Sequence, residues 1–162
     1  MNHLLISHPN MKNTGAAVRF ELHPAQDGIE GAIVAILAPQ KTVGAYSQDT
    51  ITPPTFDWCN CVDVRLSPLE IASMLEVLRG YHESIGNGIF HYSATKATTI
   101  RFTHNIEPIN SYCLELAVRK LPDGDLKTVR ISLSPTEALA LECAISHSLH
   151  LLAFGVPSIF ND

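Results

Sequence analysis

Two short stretches of this chain alternate apolar and polar side chains and then end on the same signal. Val62, Val64 and Leu66 alternate with Asp63 and Arg65, and Val129, Ile131 and Leu133 alternate with Arg130 and Ser132. That period of two predicts strands with one buried face. Each then meets serine, proline and, two residues on, glutamate: Ser67-Pro68-Leu69-Glu70 and Ser134-Pro135-Thr136-Glu137. Serine at the N-cap, proline at the first helical position and glutamate at the third form a capping box, so each strand passes directly into a helix. Over 68–79, Ile71, Met74, Leu75 and Leu78 make one stripe suited to packing on a sheet, and Gly80 supplies the C-cap. Over 135–154, Leu139, Leu141, Ala144, Ile145, Leu149, Leu151 and Leu152 lie nearly all round the helix, before Gly155. Such a helix needs partners on more than one side, which predicts that the chain self-associates.

A second pair of similar segments lies upstream. Ala16-Ala17-Val18-Arg19-Phe20 parallels Thr98-Thr99-Ile100-Arg101-Phe102, and each is followed by an apolar strand, over 33–37 and over 112–118. Two paired signatures in the same order indicate a tandem duplication. The first copy is longer, and the surplus falls in 39–55, a Thr- and Gly-rich stretch with Pro53-Pro54 that reads as a loop. Pro122-Asp123-Gly124-Asp125 supplies a hairpin turn in the second copy. The predicted fold class is α+β: two antiparallel sheet-plus-helix repeats, ββββα twice. Repeat one covers about 13–85 and repeat two about 89–155, together one domain over 13–155. Residues 1–12 are expected as a flexible arm and 156–162 as a tail.

An apolar fraction of 46% over 162 residues supports a packed core and excludes a disordered chain. The most apolar stretch, 138–154, contains Glu142, His147 and His150 and reads as a buried helix, not a membrane span. Residues 1–12 lack a charged start followed by a long apolar run, and no arginine precedes Arg19. Neither an export signal nor a transit peptide is read, so a cytoplasmic location and reduced cysteines are expected. Cys143, His147 and His150 on one helix, and Cys59 and Cys61 on one strand, do not have the spacing of a zinc knuckle. No metal or other cofactor is expected. No nucleophile elbow, Walker loop or dinucleotide fingerprint occurs, which argues against an enzyme.

The alternation also says which cations face outward. If Val62, Val64 and Leu66 point to the helix, Arg65 points away; by the same parity so do Arg130, Arg19, Arg101 and Arg119, with Lys96 at a strand end. Many of the acids, Glu70, Glu76, Glu83, Glu137 and Glu142, sit on or beside helices, so a net charge of −5 can coexist with a basic sheet face. Phe56, Trp58, Tyr92 and, in the long loop, Tyr46 are aromatic candidates for stacking bases. Cations that track phosphates beside flat apolar rings are the chemistry of a single-strand binder. Solvated strand arginines and core aromatics are the plainer reading of the same residues.

The order of these pieces resembles a known family. Gly15-Ala16-Ala17-Val18, Leu37-Ala38-Pro39, Phe56-Asp57-Trp58, Leu66-Ser67-Pro68-Leu69-Glu70-Ile71 and the long apolar helix over 133–155 look like the Whirly proteins, plant single-stranded DNA binders. The second repeat alone, through Tyr92-Ser93-Ala94-Thr95-Lys96, Arg101-Phe102 and Asp123-Gly124-Asp125-Leu126-Lys127, is similar to the transcriptional coactivator positive cofactor four. The resemblance implies two sheets with helices between them, homotetramers, and single-stranded DNA along sheet edges and faces. It departs where the family has Lys-Gly-Lys before the Ala-Ala strand: here the residues are Asn13-Thr14-Gly15, with Lys12 just outside. The expected role is non-sequence-specific binding of single-stranded DNA, or of RNA, in replication, repair, recombination or transcription. The competing expectation is a protein-interaction scaffold of the same fold, and the absence of an organelle leader suits a bacterial, phage or plasmid setting.

Overall fold

The computed structural model of the chain describes residues 3–47 and 50–156, and at Tyr46 the backbone alone. Eleven strands and two helices are found among them: β1 (His3–His8), β2 (Ala16–His23), β3 (Ala32–Thr42), β4 (Ala45–Tyr46), β5 (Ile51–Thr52), β6 (Thr55–Phe56), β7 (Val62–Leu66), α1 (Pro68–Leu78), β8 (Ile89–Tyr92), β9 (Lys96–Asn105), β10 (Ser111–Lys120), β11 (Leu126–Leu133) and α2 (Pro135–Phe154). All pairing is antiparallel. In the first sheet β1, β2, β3 and β7 are neighbours in that order; in the second, β8, β9, β10 and β11 are. The two repeats therefore share one ββββα topology, as the paired signatures predict.

Two expectations are corrected. Residues 3–8, expected as part of a flexible arm, form β1 and pair with β2 from His3↔Glu21 to His8↔Ala16. Ile6 is buried against the core, and the backbone ladder supplies the rest of the hold. The 39–55 stretch, read as a loop, continues β3 to Thr42, adds the small β4–β5 hairpin, and ends at β6, which pairs with β3 beyond a bulge at Gln40/Thr42. The tail expected at 156–162 lies outside the described residues beyond Val156.

The apolar parities meet in one core. Val18 and Phe20, Ile33, Ala35 and Leu37, and Val62, Val64 and Leu66 line the first sheet; Ile100 and Phe102, Leu114 and Leu116, and Val129, Ile131 and Leu133 line the second. The sheets meet directly, β2, β3 and β7 against β10 and β11, and the helix pair packs beside this junction and not as a layer between the faces as expected. α1 packs on α2 and β9, while α2 touches β1 and β3 of one sheet and β10 and β11 of the other. Ile71, Met74, Leu75 and Val77 of α1, and Leu141, Ile145 and Leu152 of α2, close the core. Arg79 joins the two helices, donating to Glu142 at 2.8 Å and to Ser146 at 2.9 Å. At its far end α2 docks on the β2–β3 connection, where Ala25 N and Gly31 N donate to the carbonyls of Leu151 and Leu152. A Cβ on Gly31 would stand 2.5 Å from the Leu152 carbonyl oxygen, so only glycine allows this approach.

Both capping boxes are present, and each carries an additional partner. Glu70 accepts from Ser67 N at 2.8 Å and from His91 Nε2 of β8 at 2.6 Å. Glu137 accepts from Ser134 N at 2.8 Å and from His8 Nε2 of β1 at 2.8 Å. His8 pairs across from Ala16, and His91 from Thr98; Ala16 and Thr98 are equivalent in the duplication. So the first strand of each repeat latches the helix start of the other.

Burial alone would raise the pKa of either carboxyl. For Glu70 the His91 bond and the Ser67 donors outweigh it, and for Glu137 the Ser134 donors and His8 do, leaving both below the ordinary 4.5. A lowered carboxyl pKa stabilises the fold above pH 4.5, and that contribution disappears as pH falls through the lowered values. Glu70→Gln with Glu137→Gln keeps the capping geometry and removes the charge. Urea unfolding should show the double variant less stable by about 1 kcal/mol at pH 7, partial exposure limiting the effect, with the gap closing as pH falls through the lowered carboxyl pKa values.

Candidate nucleic-acid interface

Cross-strand partners share a face of a sheet, so the pairing registers place every outward side chain. On the outer face of the second sheet, one row runs Tyr92, Ala97, Arg119, Leu126. The next runs Phe90, Thr99, Ala117, Thr128, and a third holds Arg101, Glu115 and Arg130. Phe90 is 66% exposed and Tyr92 81%, two uncovered rings on the same side of a short edge strand. Exposed aromatics of this size, side by side, with Thr99 opposite Phe90 and Arg119 farther along the Tyr92 row, form a surface that a base can stack on.

The expected single arginine face is two faces. Arg101, Arg119 and Arg130 lie on the second sheet, whereas Arg19 and Arg65 lie on the outer face of the first, in rows with Ile36 and Asp63 and with Glu21 and Val34. Nor do the acids keep to the helices: three strand carboxylates face these cations. Arg19 Nε lies 2.7 Å from Glu21, without an aligned N–H···O bond. Arg101 donates to Glu115 at 2.8 Å, and Lys96 Nζ lies 3.3 Å from Asp63. Arg65 is engaged differently, donating to the Glu30 carbonyl at 2.6 Å. Arg119 and Arg130 are exposed and make no ion pair among the described residues.

The aromatic candidates divide in the same way. Phe56, on β6, is half-buried opposite Gln40. Trp58 belongs not to a strand but to a 3₁₀ turn, Trp58–Asn60, capped by Asp57, and is half-buried with the Arg19 guanidinium 5.1 Å from its ring centroid. The Asp57 carboxyl is held below its usual range chiefly by the Asn60 amide. Trp58 and Arg19 thus cover part of the first sheet's outer face, where Ala17 and Ala38 are fully buried. The Tyr46 side chain lies outside the described residues. Lys12 is exposed on the β1–β2 turn, which is built around Asn10 and the buried Gln40: Gln40 Oε1 accepts from Asn10 N and Gly15 N, and its amide donates to Asn10 O and Thr42 O.

Phe90 was missed at the sequence level, although it shares the parity of Tyr92 within Ile89-Phe90-His91-Tyr92. The threonines of the same face, Thr99 and Thr128, carried no signal of their own. All four cysteines are free, and burial pushes the Cys113 thiol up against the pull of Arg130. Among the described residues no cluster of three or more His, Cys, Asp or Glu side chains could hold a metal ion, and no helix is long and apolar enough to cross a membrane. The divided arginines make a stability prediction. Arg19→Ala removes a cation from over Trp58 and leaves half-buried Glu21 alone, a loss of about 1–2 kcal/mol; Arg119→Ala should stay within about 0.5 kcal/mol of the parent in the same urea titration.

No sequence-family model and no curated protein matches the chain. Solved structures do. WHY3 from Arabidopsis thaliana superposes with a TM-score of 0.73 at 17% identity, over 96% of this chain and 90% of that one. The plant transcriptional regulator PBF-2 gives 0.70 at 17% identity, over 94% and 90%. A guide-RNA-binding protein complex bound to a guide RNA gives 0.60 at 20% identity, over 91% and 89%. Likeness at such identity speaks for the backbone and not for the chemistry on it: the chain has a Whirly-like fold.

Proposed function

We propose that this protein is a non-enzymatic binder of single-stranded nucleic acid, DNA in the first instance, and that the strand runs over the outer face of the second sheet. One observation carries the reading: Phe90 and Tyr92 stand exposed on β8, on the same outer face as the unpaired Arg119 of β10 and Arg130 of β11. Rings stack on any base, and guanidinium groups attract any phosphate, so the surface suits a strand without a fixed sequence. The net charge of −5 is compatible with this, since Arg119 and Arg130 on that face stand exposed and make no ion pair among the described residues. The superposition on PBF-2 and on a guide-RNA-binding complex supports a nucleic-acid partner and leaves RNA as the second reading. Protection or annealing of exposed strands in replication, repair, recombination or transcription is the role that fits such a surface.

The same reading includes self-assembly, as a homotetramer. Leu139 is 63% exposed and Phe154 78%, the outer side of α2 also carries Ala140, Cys143 and Ala144, and the helix has no lysine or arginine. Apolar surface of that kind is removed from water when copies associate.

Fluorescence anisotropy with a labelled single-stranded oligonucleotide tests the binding. Affinity should fall steeply between 50 and 200 mM salt, with a log–log slope of about −0.7 per phosphate neutralised. Phe90→Ala and Tyr92→Ala should each weaken it by about 1–3 kcal/mol. Arg119→Glu with Arg130→Glu should abolish it while light scattering reports an unchanged oligomer. No binding at micromolar protein in low salt would leave the scaffold reading instead, and competition by an RNA of the same sequence separates the two nucleic acids.

A further inference from the structure

Next to Tyr92 the two sheets leave a cleft of about 210 Å³ between β7 and the β8–β9 hairpin. β7 pairs with β3 on one side only, and its other side faces this space. Asp63, Arg65 and Val64 line one wall; His91, Tyr92, Lys96 and Thr98 line the other. Pockets for drug-sized molecules run from about 300 to 1,000 Å³, so this one suits a single planar ring and not a whole nucleotide.

We infer that the cleft is a subsite for one base of the bound strand, a base bearing an exocyclic amine; the inference rests on the single-strand reading above. Its chemistry is that of a base site. Tyr92 stands exposed at the rim as a stacking surface. The Asp63 carboxylate is an acceptor only, and Lys96 Nζ, 3.3 Å from it, holds it in place. An ionised carboxylate accepts from the amine of cytosine or adenine and is repelled by the carbonyl oxygen that thymine and uracil present instead. The Thr98 hydroxyl is buried, with the residue 3% exposed, and has no hydrogen-bond partner among the described residues, which is unusual for an interior polar group. The ring of His91 is fixed as part of the wall by its bond to Glu70.

The duplication separates frame from lining. His91 and Glu70 have equivalents in His8 and Glu137, so the latch occurs twice. The lining does not: Tyr92 corresponds to Pro9, Lys96 to Thr14, Thr98 to Ala16 and Asp63 to Arg130. Ring, cation, orphan hydroxyl and carboxylate are found together in one copy alone.

The test compares labelled oligo-dC and oligo-dT of equal length at pH 7.5, by anisotropy at fixed salt. The parent should bind dC about fivefold or more tighter than dT, the lower end of a single base contact because Asp63 is partly exposed. Asp63→Ala, at an exposed position where the stability change should be small, should bring the two within twofold, mainly by tightening dT. Tyr92→Ala should weaken dC more than dT. Equal affinities in the parent, or a preference that survives both substitutions, would overturn the pocket while leaving the single-strand reading intact. Failure to bind either oligonucleotide would overturn that reading itself.

Discussion

Each of the two main sheets has one apolar face, and its own repeat cannot cover it. That constraint determines the rest of the molecule. α1, with Ile71, Met74 and Leu75 on one side, packs on α2 and on β9 of the other repeat, and leaves the lining of Val18, Phe20, Leu37 and Leu66 in its own sheet to other partners. Two repeats whose sheets meet directly, with the helix pair packed against both, bury both linings in one core. The His8–Glu137 and His91–Glu70 contacts fix the relation of the halves, since each ties an edge strand of one repeat to the first turn of the other's helix. They lie where the helix N-terminus already favours a carboxylate, so charge, cap and cross-repeat bond act on the same two atoms.

What was legible in the sequence followed from local rules. Ser67-Pro68 and Ser134-Pro135 mark helix starts whatever the tertiary context, and the Val62–Leu66 alternation assigns faces without knowledge of neighbours. β1 was illegible because an edge strand is half in contact: Leu4 is half-buried, Leu5 exposed and Ile6 buried, too short a pattern to register in His3-Leu4-Leu5-Ile6-Ser7-His8. The duplication itself demanded a fourth strand in the first repeat, and β1 fills that place. Trp58 shares the parity of Val62 but leaves the strand at a 3₁₀ turn, so parity carried no information there.

The candidate site was legible to the level of faces and no further. Alternation correctly turned Arg101, Arg119 and Arg130 outward, yet which cation meets a carboxylate depends on register. Glu115 lies opposite both Arg101 and Arg130, and bonds Arg101. Exposed ion pairs contribute little to stability, about 0–1 kcal/mol, but they occupy the charge. Arg19, under Glu21 and over Trp58, and Arg65, on a carbonyl, are likewise engaged within the chain. Counting arginines by parity therefore overstates the basic surface, and the exposed rings of β8 become the better guide.

The two repeats have consequently diverged in a directional way. In the first, the added 39–55 segment brings β6 and the Trp58 turn against the sheet and closes part of its outer face. In the second, nothing is inserted, and the equivalent face stays open with Phe90, Tyr92 and two free guanidinium groups. A duplicated fold begins with two like surfaces, and insertion in one copy covers one of them without disturbing the shared core, because the segment enters at the end of β3, outside the helix-packed layer. The asymmetry assigns structural work to one outer face and leaves the other accessible, so a single protomer offers one polar, aromatic surface where symmetry would have offered two.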